Sequence, residues 1–112
     1  MELKGVESRH LQTVCSILRQ YLPDYQVKAF GSRVNGGKVR TFSDLDLAVI
    51  TERPLDALLL ADLKEALSES DLPFKVDLID WAVTSERFRG IVERSSLVIQ
   101  EGTKEGTTKA PR

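Results

Sequence analysis

The chain has 112 residues, of which 41% are hydrophobic and 29% charged, and its net charge is −1. This length accommodates one compact domain, and the composition is too apolar for a disordered protein. The single cysteine excludes an internal disulfide, no apolar run approaches the roughly 20 residues that span a bilayer, and the first residues lack a signal peptide's apolar stretch. We therefore expect a cytoplasmic protein with one domain at residues 1–102 and a disordered tail at residues 103–112.

The net charge conceals an uneven distribution along the chain. Residues 1–43 contain seven Lys and Arg against three Asp and Glu, whereas residues 44–101 contain six against thirteen. The basic residues of the first part gather around Lys28, Arg33, Lys38 and Arg40. They form either a solvated surface loop or a positive rim that attracts a polyphosphate.

The first half of the chain predicts one helix and two strands. Apolar residues at helical spacing favour a helix over residues 8–22, and Pro23 with Asp24 ends it. A short strand is predicted at residues 26–30. Residues 31–43 contain three glycines and are predicted to form a loop with room for a helical turn. Residues 45–50 are typical of a buried strand.

The second half predicts two further helices and two strands. Pro54 suits the first turn of a helix with a buried stripe of five leucines: Leu55, Leu58, Leu59, Leu63 and Leu67. Strands are predicted at residues 74–79 and 96–100. Between them, Thr84 or Ser85 can cap a helix that has an apolar face: Phe88, Ile91 and Val92. This order of elements predicts an α/β (α+β) domain with helices packed on a small sheet.

Two carboxylates flank Leu45 where the second predicted strand begins. In a strand, residues i and i+2 point to the same side, so Asp44 and Asp46 project from one face. Like charges this close repel each other, and a divalent cation removes that repulsion. Mg²⁺ prefers carboxylate, phosphate and water oxygens as ligands. The pair therefore indicates either a metal site or, taken alone, an ordinary solvated strand end.

A glycine–serine–arginine turn follows the first predicted strand. Gly31 permits unusual backbone angles and a close approach to a ligand, and the amides after such a turn can bind phosphate oxygens. Ser32 can add a hydrogen bond and Arg33 a positive charge. The segment matches neither the Walker nor the Rossmann pattern. On its own it is also compatible with an ordinary turn.

A third carboxylate lies inside the apolar strand VDLID. An unpaired carboxylate is costly in such a strand, and Asp77 is expected to face the same side as Lys75 and Ile79. It is either a salt-bridge partner of a Lys or Arg, or a carboxylate that meets Asp44 and Asp46 across the sheet. Asp80, at the strand end, is expected to face solvent or to act as a cap.

The combined pattern resembles a known enzyme family. The stretch FGSRVNGGKVRTFSDLDLAVI, together with KVDLIDW, is similar to the signature of the minimal nucleotidyltransferase (MNT) antitoxins, in the DNA polymerase beta-like nucleotidyltransferase superfamily. The resemblance covers residues 8–102. It implies the nucleotidyltransferase fold, a small mixed β-sheet with helices packed on it.

The resemblance also implies a role for each motif residue. Gly31, Ser32 and Arg33 match the nucleotide-binding turn. Asp44, Asp46 and Asp77 match the catalytic carboxylates that hold divalent metal, with two Mg²⁺ ions expected. Asp77 would also accept the proton of the attacking hydroxyl.

The same resemblance implies a reaction and a partner. An NMP group, AMP from ATP, would be transferred to a hydroxyl, most typically a tyrosine of a cognate HEPN-domain toxin, so that the protein acts as an antitoxin. No contact with membrane or direct contact with nucleic acid is expected, and homo- or hetero-oligomers are both compatible. Two alternatives remain open. The domain could neutralise a partner by occupancy without catalysis, or it could modify a small molecule.

Overall fold

The structure is a computed structural model that describes residues 3–35 and 44–102. The predictions for Lys38, Arg40 and the tail at residues 103–112 lie outside these ranges. The elements are α1 (Ser8–Tyr21), β1 (Gln26–Phe30), α2 (Ser32–Asn35), β2 (Leu45–Ile50), α3 (Ala57–Glu69), β3 (Val76–Asp80), a 3₁₀ turn (Trp81–Val83), α4 (Glu86–Arg94) and β4 (Ser96–Gln100).

The strands form one mixed sheet in the order β3-β2-β1-β4. β1 is antiparallel to both β2 and β4, whereas β2 and β3 run parallel. A parallel pair needs a crossover connection, and α3 supplies it. The predicted α+β architecture, with helices packed on a small mixed sheet, is confirmed.

One face of the sheet carries the main hydrophobic core. Alternate residues of β1 and β2 are fully buried there, against Val14 and Leu18 of α1 and Leu63 of α3. The opposite face carries a smaller cluster of Phe30, Ala48 and Val92. Because side chains of a strand alternate between faces, α1 and α3 cover the first face and α4 the second.

Two helices differ from the predicted pattern. The helix predicted from Pro54 begins at Ala57, because the Asp56 side chain caps it by accepting a hydrogen bond from the Leu59 amide at 3.0 Å. Leu58, predicted to be buried, is 76% exposed. The fifth leucine of that stripe, Leu67, is buried as predicted.

The last helix shows a similar difference. Ser85 caps α4 as predicted, and its hydroxyl accepts a hydrogen bond from the Phe88 amide at 3.2 Å. Of the predicted apolar face only Val92 is fully buried, while Phe88 and Ile91 are 36% and 47% exposed. No helix in the described ranges is both long and apolar enough to cross a membrane.

Candidate active site

The carboxylates of β2 and β3 are neighbours across the sheet. Asp46 pairs in register with Asp77 on one side and with Phe30 on the other. All three therefore lie on the sheet face that α4 covers, where β1 ends and β2 and β3 begin. Phe30 is buried, and its ring packs edge-on against Phe88 of α4 with 5.8 Å between ring centroids. The structure therefore places Asp77 next to Asp46 across the sheet, which is one of the two alternatives that the sequence offered for Asp77.

The third carboxylate joins them from just before β2. Asp44 is exposed and lies beside Asp77. Its interaction with the Asp77 side chain, with lesser effects of partial burial and the Asp44 charge, raises the pKa of Asp77, whereas Lys75 opposes this rise.

The middle carboxylate is shifted in the same direction. Burial raises the pKa of Asp46, and the negative charges of Asp77 and Asp44 raise it further. Asp46 and Asp77 therefore both resist ionisation, as expected for neighbouring like charges without a counterion. The predicted salt bridge is also present: Lys75 Nζ lies 3.7 Å from Asp77 Oδ1. The Lys75 side chain is largely exposed and that of Asp77 is half-buried, and the pair offsets only part of the repulsion.

These residues fit a divalent cation without forming a closed cage. In residues 3–35 and 44–102, no three His, Cys, Asp or Glu side chains are grouped as a complete metal site. Mg²⁺ does not need one, because it commonly binds one or two carboxylates and completes its shell with phosphate oxygens and water. The adjacent Asp46 and Asp77 offer such a partial set of ligands, and a cation there would remove the repulsion between them.

The glycine turn lies directly against this site. Gly31 has a positive φ of 87°, which favours glycine. A Cβ added at Gly31 would overlap the carboxylate of Asp46, lying 3.4 Å from its Cγ and closer to its Oδ2. The Val34 amide donates to the Gly31 carbonyl at 3.0 Å and closes the turn, and Ser32 begins α2 half-buried. The turn and the metal-binding candidate therefore form one continuous surface.

Arg33 differs from its expected place on a positive rim. The side chain is 1% exposed, and its Nη1 donates to the Lys4 carbonyl at 2.7 Å. Its Cζ lies 4.9 Å from the centre of the Phe74 ring. The structure thus corrects the interpretation of Arg33 as an exposed charge. Since charged residues are rarely buried fully, sequence alone gave no signal for this placement.

Asp80 acts as a cap, which is one of the two roles predicted for it. Its side chain accepts hydrogen bonds from the Thr51 hydroxyl at 2.5 Å and from the Leu55 amide at 2.7 Å. It also caps the 3₁₀ turn by accepting from the Ala82 amide. These bonds join the end of β3 to the connection after β2 and hold the two parallel strands in register.

A family model agrees with this geometry. The model "Polymerase beta, Nucleotidyltransferase" matches residues 12–105, which is most of the chain. This chain belongs to that family. The resemblance inferred from the two sequence motifs is therefore confirmed, and the protein is a nucleotidyltransferase.

A curated relative adds a more specific likeness. The nucleotidyltransferase is 57% identical over 106 residues to "Probable protein adenylyltransferase MntA" of Haemophilus influenzae. The match covers 95% of this chain and 90% of the relative. The likeness therefore extends over both motifs and all of the strands.

Solved structures share the fold. A toxin–antitoxin structure with AMP-PNP matches with a TM-score of 0.67 and 26% identity, covering 85% of this chain and 76% of the other. A tri-AMPylated HEPN toxin in complex with its MNT antitoxin, from Shewanella oneidensis, contains a chain with a TM-score of 0.60 and 22% identity. That match covers 86% of this chain and 73% of the other, and it shows likeness of fold alone.

Proposed function

We propose that this nucleotidyltransferase transfers AMP from ATP to a tyrosine hydroxyl of a cognate HEPN-domain toxin and thereby acts as an antitoxin. The observation that carries the proposal is the placement of Asp46 and Asp77 side by side, with the Gly31 turn against Asp46. The name of the 57% identical relative supports protein adenylylation. The toxin–antitoxin neighbour with AMP-PNP supports both the nucleotide and the kind of partner.

The carboxylates would bind metal, and the adjacent turn would bind the phosphates. Asp46 and Asp77, with Asp44 beside them, would hold divalent metal, with two Mg²⁺ ions expected. When bound, Mg²⁺ would screen the phosphate charges and stabilise the leaving pyrophosphate. The turn at Gly31 and Ser32 would hold the β- and γ-phosphates next to these carboxylates, through backbone amides and the serine hydroxyl.

Transfer is an in-line displacement at the α-phosphorus. The acceptor oxygen forms a bond to phosphorus, the bond to the β-phosphate oxygen breaks, and pyrophosphate leaves. The proton of the acceptor hydroxyl passes to the ionised Asp77. Asp77 suits the role of proton acceptor because its partly exposed carboxylate lies beside Asp46 at the open end of the sheet, where an acceptor hydroxyl can approach.

The acceptor has to be brought to the site by another molecule. An attacking oxygen must lie within about 3–3.5 Å of the phosphorus before reaction. The described elements build the sheet and the candidate nucleotide site, and the carboxylates lie at a partly open sheet end where Asp44 is exposed. A folded partner that docks over this opening would complete the site and supply the hydroxyl.

Intact-mass measurement of the partner tests this proposal. We expect the cognate HEPN-domain protein, incubated with the wild-type chain, ATP and Mg²⁺, to gain the mass of one or more AMP groups and to lose its toxicity. The Asp77→Asn variant should still co-purify with the partner and leave its mass unchanged. A partner that is inhibited without any added mass, with each of the four nucleoside triphosphates, would favour neutralisation by occupancy.

A further inference from the structure

Arg33 is the largest fully buried side chain among the described residues. Burying a guanidinium costs free energy unless hydrogen bonds and favourable charges compensate. The Lys4 carbonyl accepts from Nη1, and Cζ lies over the Phe74 ring. Burial lowers the pKa of Arg33, and the Asp44 charge opposes this only in part. The Arg33 side chain is therefore packed inside the fold. It does not face the candidate nucleotide site, although it directly follows the Gly31–Ser32 turn.

The main chain of Arg33 is held by the same segment as its side chain. The Lys4 amide donates to the Arg33 carbonyl at 2.9 Å, so Lys4 and Arg33 exchange two hydrogen bonds. Leu3, next to Lys4, is 4% exposed and belongs to the main core cluster. The N-terminal segment is thus anchored in the core and attached to α2 one residue after Ser32.

We propose that Arg33 is a positioning residue that acts through this attachment. Fastened to Lys4 and Phe74, it sets the orientation of the Gly31–Ser32 turn relative to the Asp46 carboxylate. The turn then presents its amides to the triphosphate where the carboxylates bind metal. This inference rests on the proposed function, since it assigns Arg33 a part in holding the same nucleotide.

If Arg33 binds phosphate directly, its effect on ATP binding should depend on salt and not on Lys4. If Arg33 positions the turn, its effect should depend on Lys4 and little on salt. A guanidinium that touches phosphate acts independently of Lys4, and its contribution falls as salt screens the charges. A positioning residue shares its effect with Lys4, and its contribution changes little with salt because its contacts are buried. The two roles can therefore be separated by a double-mutant cycle.

The cycle combines Arg33→Met with Lys4→Pro. Methionine keeps an unbranched apolar stem and removes the guanidinium, while proline removes the amide donor of Lys4. Lys4→Ala is the matched control, because it removes the exposed side chain and keeps both main-chain groups. Arg33→Lys keeps the charge and loses the planar group that packs on the ring. Each variant is first checked for folding by circular dichroism and thermal melting.

Calorimetric titration with ATP and Mg²⁺ gives the decisive comparison. We expect Arg33→Met and Lys4→Pro each to weaken ATP binding about tenfold, which corresponds to about 1.4 kcal/mol. The double variant should be no weaker than Arg33→Met alone, Arg33→Lys should rescue little, and Lys4→Ala should bind like the wild type. Amide hydrogen exchange without nucleotide should also speed up at Ser32 and Val34 in both weakened variants.

Three results would overturn the inference. Normal ATP affinity in Arg33→Met would make Arg33 a purely structural residue. Weakened binding in Arg33→Met that depends on salt, with normal binding in Lys4→Pro, would mean direct phosphate contact. Additive losses of ATP affinity in the double variant would show that Arg33 and Lys4 act independently, which also contradicts the inference. By contrast, the variants could show the expected ATP affinities while the wild-type chain never modifies a partner. That result would overturn only the proposed function.

Discussion

The two faces of the sheet differ in what they bury. On the α1 and α3 face, Val27, Leu47 and Val49 are fully buried among apolar side chains. On the α4 face, a small cluster is followed along the strands by Asp46 and Asp77, which are only half-buried. The first face gains free energy from apolar burial, whereas the second places like charges side by side and loses some.

This contrast indicates a division of labour between the faces. Residues of the α1 and α3 face should matter for folding and little for the chemistry once the chain is folded. Residues of the carboxylate end should matter for activity, and neutralising them should not unfold the chain.

The largest effect is expected at the central carboxylate. Asp46→Asn should reduce transfer by about 10³-fold or more, the scale of losing a principal electrostatic group, because the amide is no longer an ionic ligand. Asp44→Asn should also abolish transfer. Product formation measured by intact mass, with circular dichroism as the folding control, checks both variants. Full activity in either would show that metal binding does not depend on that carboxylate.

A large loss of stability is expected on the opposite face. Leu63 of α3 is fully buried, so Leu63→Ala should lower the free energy of unfolding by about 2–5 kcal/mol. Leu58→Ala on the same helix is the matched control. Leu58 is 76% exposed, and its replacement should change stability by about 0.5 kcal/mol at most. Urea unfolding measures both, and equal losses would contradict the described orientation of α3.

The leucine pair also shows how far the sequence could predict the fold. The short apolar runs at residues 45–50 and 96–100 predicted β2 and β4 with the correct bounds, and helical spacing predicted α1. The leucine-rich stretch 55–67 matched a helix but did not say which leucines face inward. That choice depends on where the helix begins, and the Asp56 cap places its start three residues after Pro54.

The candidate site was predictable in its residues but not in its contacts. The spacing of Asp44 and Asp46 indicated carboxylates on one strand face, and Asp77 was expected to meet them. The register that pairs Asp46 with Asp77 arises from the whole sheet and not from any local motif. Arg33 could not be placed by composition, because its burial depends on Phe74 and Lys4, both distant along the chain.

A smaller and more local effect is expected at the turn. Gly31→Ala should destabilise the chain by about 1–2 kcal/mol, because an L residue at positive φ is strained, and the new Cβ would displace the Asp46 carboxylate. ATP binding should weaken as well. Gly90→Ala in α4 is the control: nothing lies within 4 Å of its added Cβ, so it should stabilise by about 0.5–1 kcal/mol. Unchanged ATP affinity in Gly31→Ala would exclude close phosphate approach at this turn.

The smallest effect is a pH dependence of stability in the metal-free protein. The folded chain raises the pKa of Asp46 and of Asp77 above the ordinary value of 3.8. Between that value and the raised one, the folded state binds more protons than the unfolded state, so the free energy of unfolding falls as pH rises through this window. Both side chains are partly exposed, and solvent screening keeps the effect small.

Neutral variants should therefore differ from the wild type above this window and not below it. With a chelator present, the stability of Asp46→Asn and Asp77→Asn below pH 3.8 should differ from that of the wild type only by a constant amount. They should then gain relative stability as the pH rises towards neutrality. Lys75→Ala should do the opposite, because the Lys75 charge lowers the pKa of Asp77 and partly relieves the repulsion. Thermal melts across the pH range measure all four proteins. A relative stability of Asp46→Asn that stays constant or falls with rising pH would mean that the carboxylates do not oppose folding, and the proposed need for a cation at this end of the sheet would lose its physical basis.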